Sequence, residues 1–113
     1  MATFQIDYDN EFDDLYIYRQ DKKSEVSLTL ADFVVDAQKN GTVVGVEILK
    51  ATDTLSQMLS REITKNELQN IASAKLNVSV RENGMLISMI MTTDADKKTG
   101  ELVVPLVVPN FNA

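Results

Sequence analysis

The chain contains no cysteine among its 113 residues. That excludes disulfides, thiol catalysis and thiolate metal sites together. It contains no histidine either, so the usual general base near neutral pH, the usual transition-metal ligand and the base of a serine triad are all missing. Carboxylates, lysine or tyrosine can still do chemistry, but the expectation is a non-catalytic protein with no cofactor. No apolar run approaches the ~18–20 residues of a membrane span. Met1-Ala2-Thr3 leads straight into an apparent strand, with no charged leader and hydrophobic stretch of a secretory signal, so a cytoplasmic location is expected. Glycine is scarce: Gly41 and Gly45 are too sparse for a phosphate-binding loop and lack its lysine.

What is present fits one soluble domain spanning residues 1–113. The apolar fraction of 44 % argues against wholesale disorder. Net charge is −6, and the imbalance is local, because residues 1–50 carry ten acids against five bases. An acidic surface repels phosphate backbones and anionic lipids, which argues against nucleic-acid and membrane partners and suits a cationic one.

Periodicity divides the chain into a β segment (1–52), a helical segment (53–75) and a C-terminal β segment (76–113). Phe4, Ile6 and Tyr8 alternate with Gln5 and Asp7 as in a half-buried strand. Leu15 to Tyr18 is rich in strand formers. Val26 to Val35 reads as extended with a kink at Ala31-Asp32. Lys39-Asn40-Gly41 signals a tight hairpin with positive φ available at both Asn40 and Gly41, and its second arm is Thr42 to Leu49. Leu55, Met58, Leu59 and Ile63 then fall at helical spacing, with Thr52 or Asp53 as N-cap. Thr64 with Glu67 opens a second short helix carrying Leu68, Ile71 and Ala72. Period two returns at Leu76, Asn83-Gly84 repeats the hairpin signal, and Met85 to Met91 is apolar on both faces. A polar loop over 94–100 precedes a last strand, 101–108, which Pro105 assigns to an edge or a bulge. The expected fold is α+β: a mostly antiparallel sheet of six or seven strands, with two short helices inserted after the fourth strand.

Two constellations could carry chemistry. Asp36, Gln38, Asn40, Gly41 and Glu47 have the spacing of a calcium-binding EF-hand loop, which makes Asp36, Asn40 and Glu47 candidate metal ligands. Strand-like flanks in place of helices favour plain turn chemistry there. Asp7, Asp9, Glu11, Asp13 and Asp14 place five carboxylates within eight residues. Crowded carboxylates need a cation, hydrogen bonds or solvent, so the cluster is either a partner-binding surface or a turn whose acids cap backbone N–H groups.

The segment Tyr8-Asp9-Asn10-Glu11-Phe12-Asp13-Asp14-Leu15-Tyr16-Ile17, followed by Val35-Asp36 through Gly41-Thr42-Val43-Val44-Gly45-Val46-Glu47-Ile48-Leu49, resembles the signature of domain of unknown function 2283. That family comprises small prokaryotic proteins, and the resemblance covers about residues 3–52. It implies a fold and a lineage but no activity. It also implies a role as the acidic, antitoxin-like partner of a small basic protein; the alternative, read from the residues themselves, is a divalent-cation (calcium) binding module using the 7–14 cluster or the Asp36–Glu47 loop. Met85, Ile87, Met89 and Met91 share one side of their strand. If exposed they would form an apolar strip, from which a homodimer or an equivalent hydrophobic partner surface is expected; the rival is a strand curled inside a barrel-like sheet, which needs no partner.

Overall fold

The computed structural model describes residues 4–93 and 101–109. The chain folds as β1 (Phe4–Asp9), β2 (Asp14–Arg19), β3 (Val26–Leu30), β4 (Phe33–Ala37), β5 (Val43–Ile48), α1 (Ala51–Leu59), α2 (Lys65–Gln69), β6 (Ile71–Arg81), β7 (Gly84–Thr93) and β8 (Glu101–Val108). The strands make two antiparallel sheets, one ordered β1-β2-β5-β4-β3 and the other β6-β7-β8. The α+β class and the antiparallel pairing stand. The strand count does not: among the described residues there are eight strands, and the helices follow the fifth, not the fourth. The polar loop expected over 94–100 and the strand's expected first residue, Thr3, lie outside the described residues.

The extra strand comes from Ala31-Asp32. Ala31 takes a left-handed φ of 51°, and Leu30 pairs directly with Phe33, so the expected kink is a complete reversal. The resulting β3–β4 hairpin lets β5 return between β4 and β2. Leu15 and Ile17 there face Ile48 and Val46, while Phe33 and Val35 face the same two residues from the other side. β5 is therefore central, and Val46 and Ile48 have no exposed surface.

The inward faces of both sheets share one buried cluster. It joins Leu15, Ile17, Val35, Val46 and Ile48 to Ile87, Met89, Met91, Val104 and Val108. Met85, Ile87, Met89 and Met91 are at most 4 % exposed. The expected apolar strip is thus real, but the five-stranded sheet covers it within one chain, so it offers no dimer surface. Each fully buried side chain of this size contributes roughly 1.5–3 kcal/mol relative to exposure.

The helices seal one end of this core. α1 buries Ala51 and Leu55 but leaves Met58 39 % exposed, and it ends at Ser60, which is left-handed at φ 53°. Its N-cap is Lys50 (φ 50°), which makes no side-chain cap bond, and neither Thr52 nor Asp53 serves. α2 has the expected capping box between Thr64 and Glu67, and Ile63 and Leu68 on either side of it are buried. Ile71 and Ala72, expected in that helix, instead begin β6. Pro105 lies on β8, an edge strand, as its missing N–H requires.

Candidate functional site on the outer face of the five-stranded sheet

Alternation sends one set of side chains from every strand of this sheet away from the core. The register aligns them in rows. Asp7 lies opposite Tyr16, Tyr16 opposite Glu47 and Glu47 opposite Val34. The next row runs Gln5, Tyr18, Gly45, Asp36, Ser27. Asp9 faces Asp14 at the end of β1–β2. No lysine or arginine occupies an outward position on these strands. The face combines carboxylates with tyrosines.

Tyr16 organises its centre. Its ring stacks on Tyr18 with centroids 4.7 Å apart and planes inclined by 16°. Its hydroxyl donates to Asp36 Oδ2 at 2.8 Å, crossing β5 at Gly45. A Cβ on Gly45 would meet both the Tyr16 ring and its hydroxyl at 3.0 Å, so glycine there makes room for the tyrosine. Asp36 also accepts from Ser27 Oγ at 2.5 Å. Burial, with Asp36 as acceptor and neighbouring charge, drives the Tyr16 hydroxyl's pKa well above its ordinary value, so it stays a donor at physiological pH.

Beside Tyr16 stands a pair of carboxyl groups. Asp14 on β2 is the diagonal neighbour of Glu47 on β5, a position from which long side chains meet. The hydrogen bond to Asp14, then burial and the charges of Asp14 and Asp36, push the Glu47 carboxyl up to about 7. Asp14 Oδ1 is buried and has no donor while both groups are ionised. A proton on Glu47 supplies that donor, which reconciles the unpaired oxygen with the raised carboxyl.

The acidic cluster of the sequence is divided by the fold. Asp9 Oδ1 accepts from the N–H groups of Glu11 (2.9 Å) and Phe12 (3.3 Å), which shapes the turn. Asp13 does something the sequence did not signal. Held at φ 56°, it accepts from Tyr8 Oη at 2.6 Å and from the Thr52 hydroxyl at 2.6 Å and its N–H at 3.2 Å. It is the missing cap of α1, supplied from 39 residues away. Burial acts to raise the Asp13 carboxyl, but the bonds from Thr52 and Tyr8 outweigh it and hold its pKa below the usual value. Glu11 and Asp7 are exposed, and of the five acids Asp7 and Asp14 stand on the outer face together with Asp9.

The calcium-like loop is likewise dispersed. Asp36 and Glu47 share the face, with Tyr16 reaching Asp36 between them. Asn40 Oδ1 accepts from Thr42 N–H at 3.0 Å in the turn. Gly41 N–H donates to the Gln38 carbonyl at 2.8 Å, and Gly41 alone takes positive φ (91°). The loop is therefore a turn closed by a left-handed glycine, not one with positive φ at Asn40 as well. Among the described residues no group of three or more acidic side chains is placed to hold a metal ion.

Comparison with known proteins adds lineage. Residues 5–51, the five-stranded sheet, match the model of the family described as "Protein of unknown function (DUF2283)", the family that the two motifs resemble. An uncharacterized protein of Methanocaldococcus jannaschii is 39 % identical over 72 residues, covering 64 % of this chain and 61 % of the relative. The match thus spans about three fifths of that relative's length. A Methanosarcina mazei protein, provisionally named a hypoxanthine phosphoribosyltransferase, is 26 % identical over 92 residues, or 81 % of this chain and 70 % of the relative. No solved structure matches.

Proposed function

We propose that this is a small cytoplasmic binding protein whose outer sheet face receives a basic protein partner, in the manner of an antitoxin. One observation carries the reading. Asp7, Asp9, Asp14, Asp36 and Glu47 surround the stacked Tyr16 and Tyr18, with no base among them. Carboxylates give a cationic side chain its counter-charge, and tyrosine rings give it a polarisable surface. The local negative potential speeds encounter with a basic surface. At 26 % identity the transferase name of the Methanosarcina relative is not carried into this reading.

Chemical-shift mapping with an arginine-rich peptide tests the proposal. Perturbations are expected on Asp7, Tyr16, Tyr18, Asp36 and Glu47. A map confined to β7 and β8, or no perturbation at millimolar peptide, contradicts it. A second reading places a divalent cation between Asp14 Oδ1 and Glu47, in place of the proton that otherwise supplies that oxygen's donor. Millimolar calcium then raises the melting temperature, and Glu47→Gln removes the rise.

A further inference from the structure

The helices seal one end of the interior between the two sheets, where Ala51 N–H donates to the Asp13 carbonyl beside the β1–β2 turn at 2.8 Å. The far end of the same strands, beside the Asn40-Gly41 turn, stays open as a cavity of about 530 Å³, a size that suits a small organic ligand. Its two walls depart from the rule that inward side chains are apolar and covered. On β6, Val78 and Val80 lie opposite the buried Ile87 and Met85, yet they are 41 % and 73 % exposed. On β2, Arg19 takes the inward position that follows Leu15 and Ile17, opposite Phe4. A charge in a core-facing row is costly unless it is paired. Asp21 pairs with Arg19 Nε and Nη2, both at 2.7 Å, which leaves Nη1 without an acceptor among the described residues.

We propose that this cavity binds a small organic carboxylate with an apolar body. Phe4, Val43, Leu76 and Val78 line it and take the body of such a ligand out of water. Among the described residues no acid belongs to the lining. Lys75 lines it with Arg19, and its Nζ, like Arg19 Nη1, has no acceptor among the described residues. The Asn77 amide adds a neutral donor. Guanidinium and ammonium donors in one apolar cavity are a carboxylate's partners. Charge also sets the class of head group. Arg19 and Asp21 cancel each other, so Lys75 leaves one positive charge uncompensated, which matches a single carboxylate and not a doubly charged phosphate. An inorganic anion lacks the apolar contacts, and an uncharged apolar molecule leaves both donors unpaired. The acidic row of Tyr16, Asp36 and Glu47 lies on the opposite side of the five-stranded sheet and repels the same head group, so the two sites take ligands of opposite charge.

Octanoate is the probe. In an NMR titration of the full chain with millimolar octanoate, amide shifts are expected at Phe4, Thr42, Val43, Asn77 and Val78. Acetate, the head group alone, and octylammonium, the same chain with the opposite charge, should each bind about tenfold more weakly. Octyl phosphate should bind no better than octanoate. Lys75→Gln, at an exposed position, should keep the circular dichroism spectrum and weaken octanoate by about fivefold. Val80→Asp, at a position 73 % exposed, is the second variant: it adds an acid to the lining, so octanoate should weaken and octylammonium should gain. Absence of shifts at the lining residues, or shifts confined to Val103 and Val107 on the outer side of β8, overturns the proposal. So does equal affinity for octanoate and octylammonium, or octanoate affinity unchanged in both variants. Tighter binding of octyl phosphate overturns the assignment of a carboxylate head.

Discussion

Replacing Glu47 with glutamine probes the carboxyl pair directly. In the unfolded chain Glu47 titrates near its ordinary value of 4.5; in the folded chain it titrates at about 7. The folded protein therefore holds this proton more tightly. Stability is greatest with respect to this group below pH 4.5, falls as pH rises from 4.5 to 7, and is level above that. A shift of that size corresponds to a ceiling of about 3 kcal/mol. The group is only partly buried and solvent screens it, so ~1–2 kcal/mol is the working expectation. Glutamine imitates the protonated acid and can donate to Asp14. Glu47→Gln should thus be more stable than wild type by ~1–2 kcal/mol at pH 8 and nearly equal to it at pH 4.5. Urea unfolding at both pH values and constant ionic strength measures this, with the denaturant slope checked for constancy. Asp13 acts in the opposite direction and in another window: its lowered carboxyl stabilises above the ordinary aspartate value, and that contribution is lost on acidification. A wild-type protein that gains stability from pH 5 to 8, or a variant no more stable than wild type at pH 8, would refute the shared proton.

Three further substitutions test the frame. Asp13→Ala removes the long-range cap of α1 and leaves the Tyr8 hydroxyl without its acceptor, for an expected loss of about 1–2 kcal/mol in urea unfolding; an unchanged midpoint removes Asp13 from that role. Gly41→Val forces a β-branched residue to φ 91° and should cost roughly 1 kcal/mol or more; equal midpoints refute the turn geometry. Gly84→Ala places a Cβ 2.6 Å from the Val108 carbonyl oxygen and should loosen β8, seen as faster amide exchange along Leu102–Val108; unchanged exchange contradicts the close approach.

The local signals in the sequence were legible where the chemistry was local. Thr64 and Glu67 announced their capping box, Pro105 its edge strand, and Asn40-Gly41 its hairpin, although only the glycine took the left-handed turn. Ala31-Asp32 hid a reversal because alanine seldom takes positive φ, and nothing in its spelling announces that it will. That one turn decides the order β1-β2-β5-β4-β3, and with it which residues meet. Tyr16 reaching Asp36, Glu47 meeting Asp14, and Asp13 capping α1 all depend on pairings across many residues, which spacing along the chain does not encode. The even positions Asp14, Tyr16 and Tyr18 were readable as one side of a strand. That Asp36 and Glu47 join them required β5 at the centre. The strip Met85 to Met91 is apolar on both sides, as its spelling indicates, but the side from which an interface is expected is the one the five-stranded sheet covers.

The central claim is that the acidic, tyrosine-bearing face receives a basic partner. Fluorescence anisotropy with an arginine-rich peptide tests it most directly, comparing wild type with Asp7→Asn/Asp36→Asn and with a control variant, Val103→Lys/Val107→Lys, at exposed positions of the other sheet, over a range of salt. Binding is predicted to weaken as salt rises. It should fall at least tenfold in the acid-face variant and persist in the control variant. Equal affinity for wild type and the acid-face variant contradicts the account.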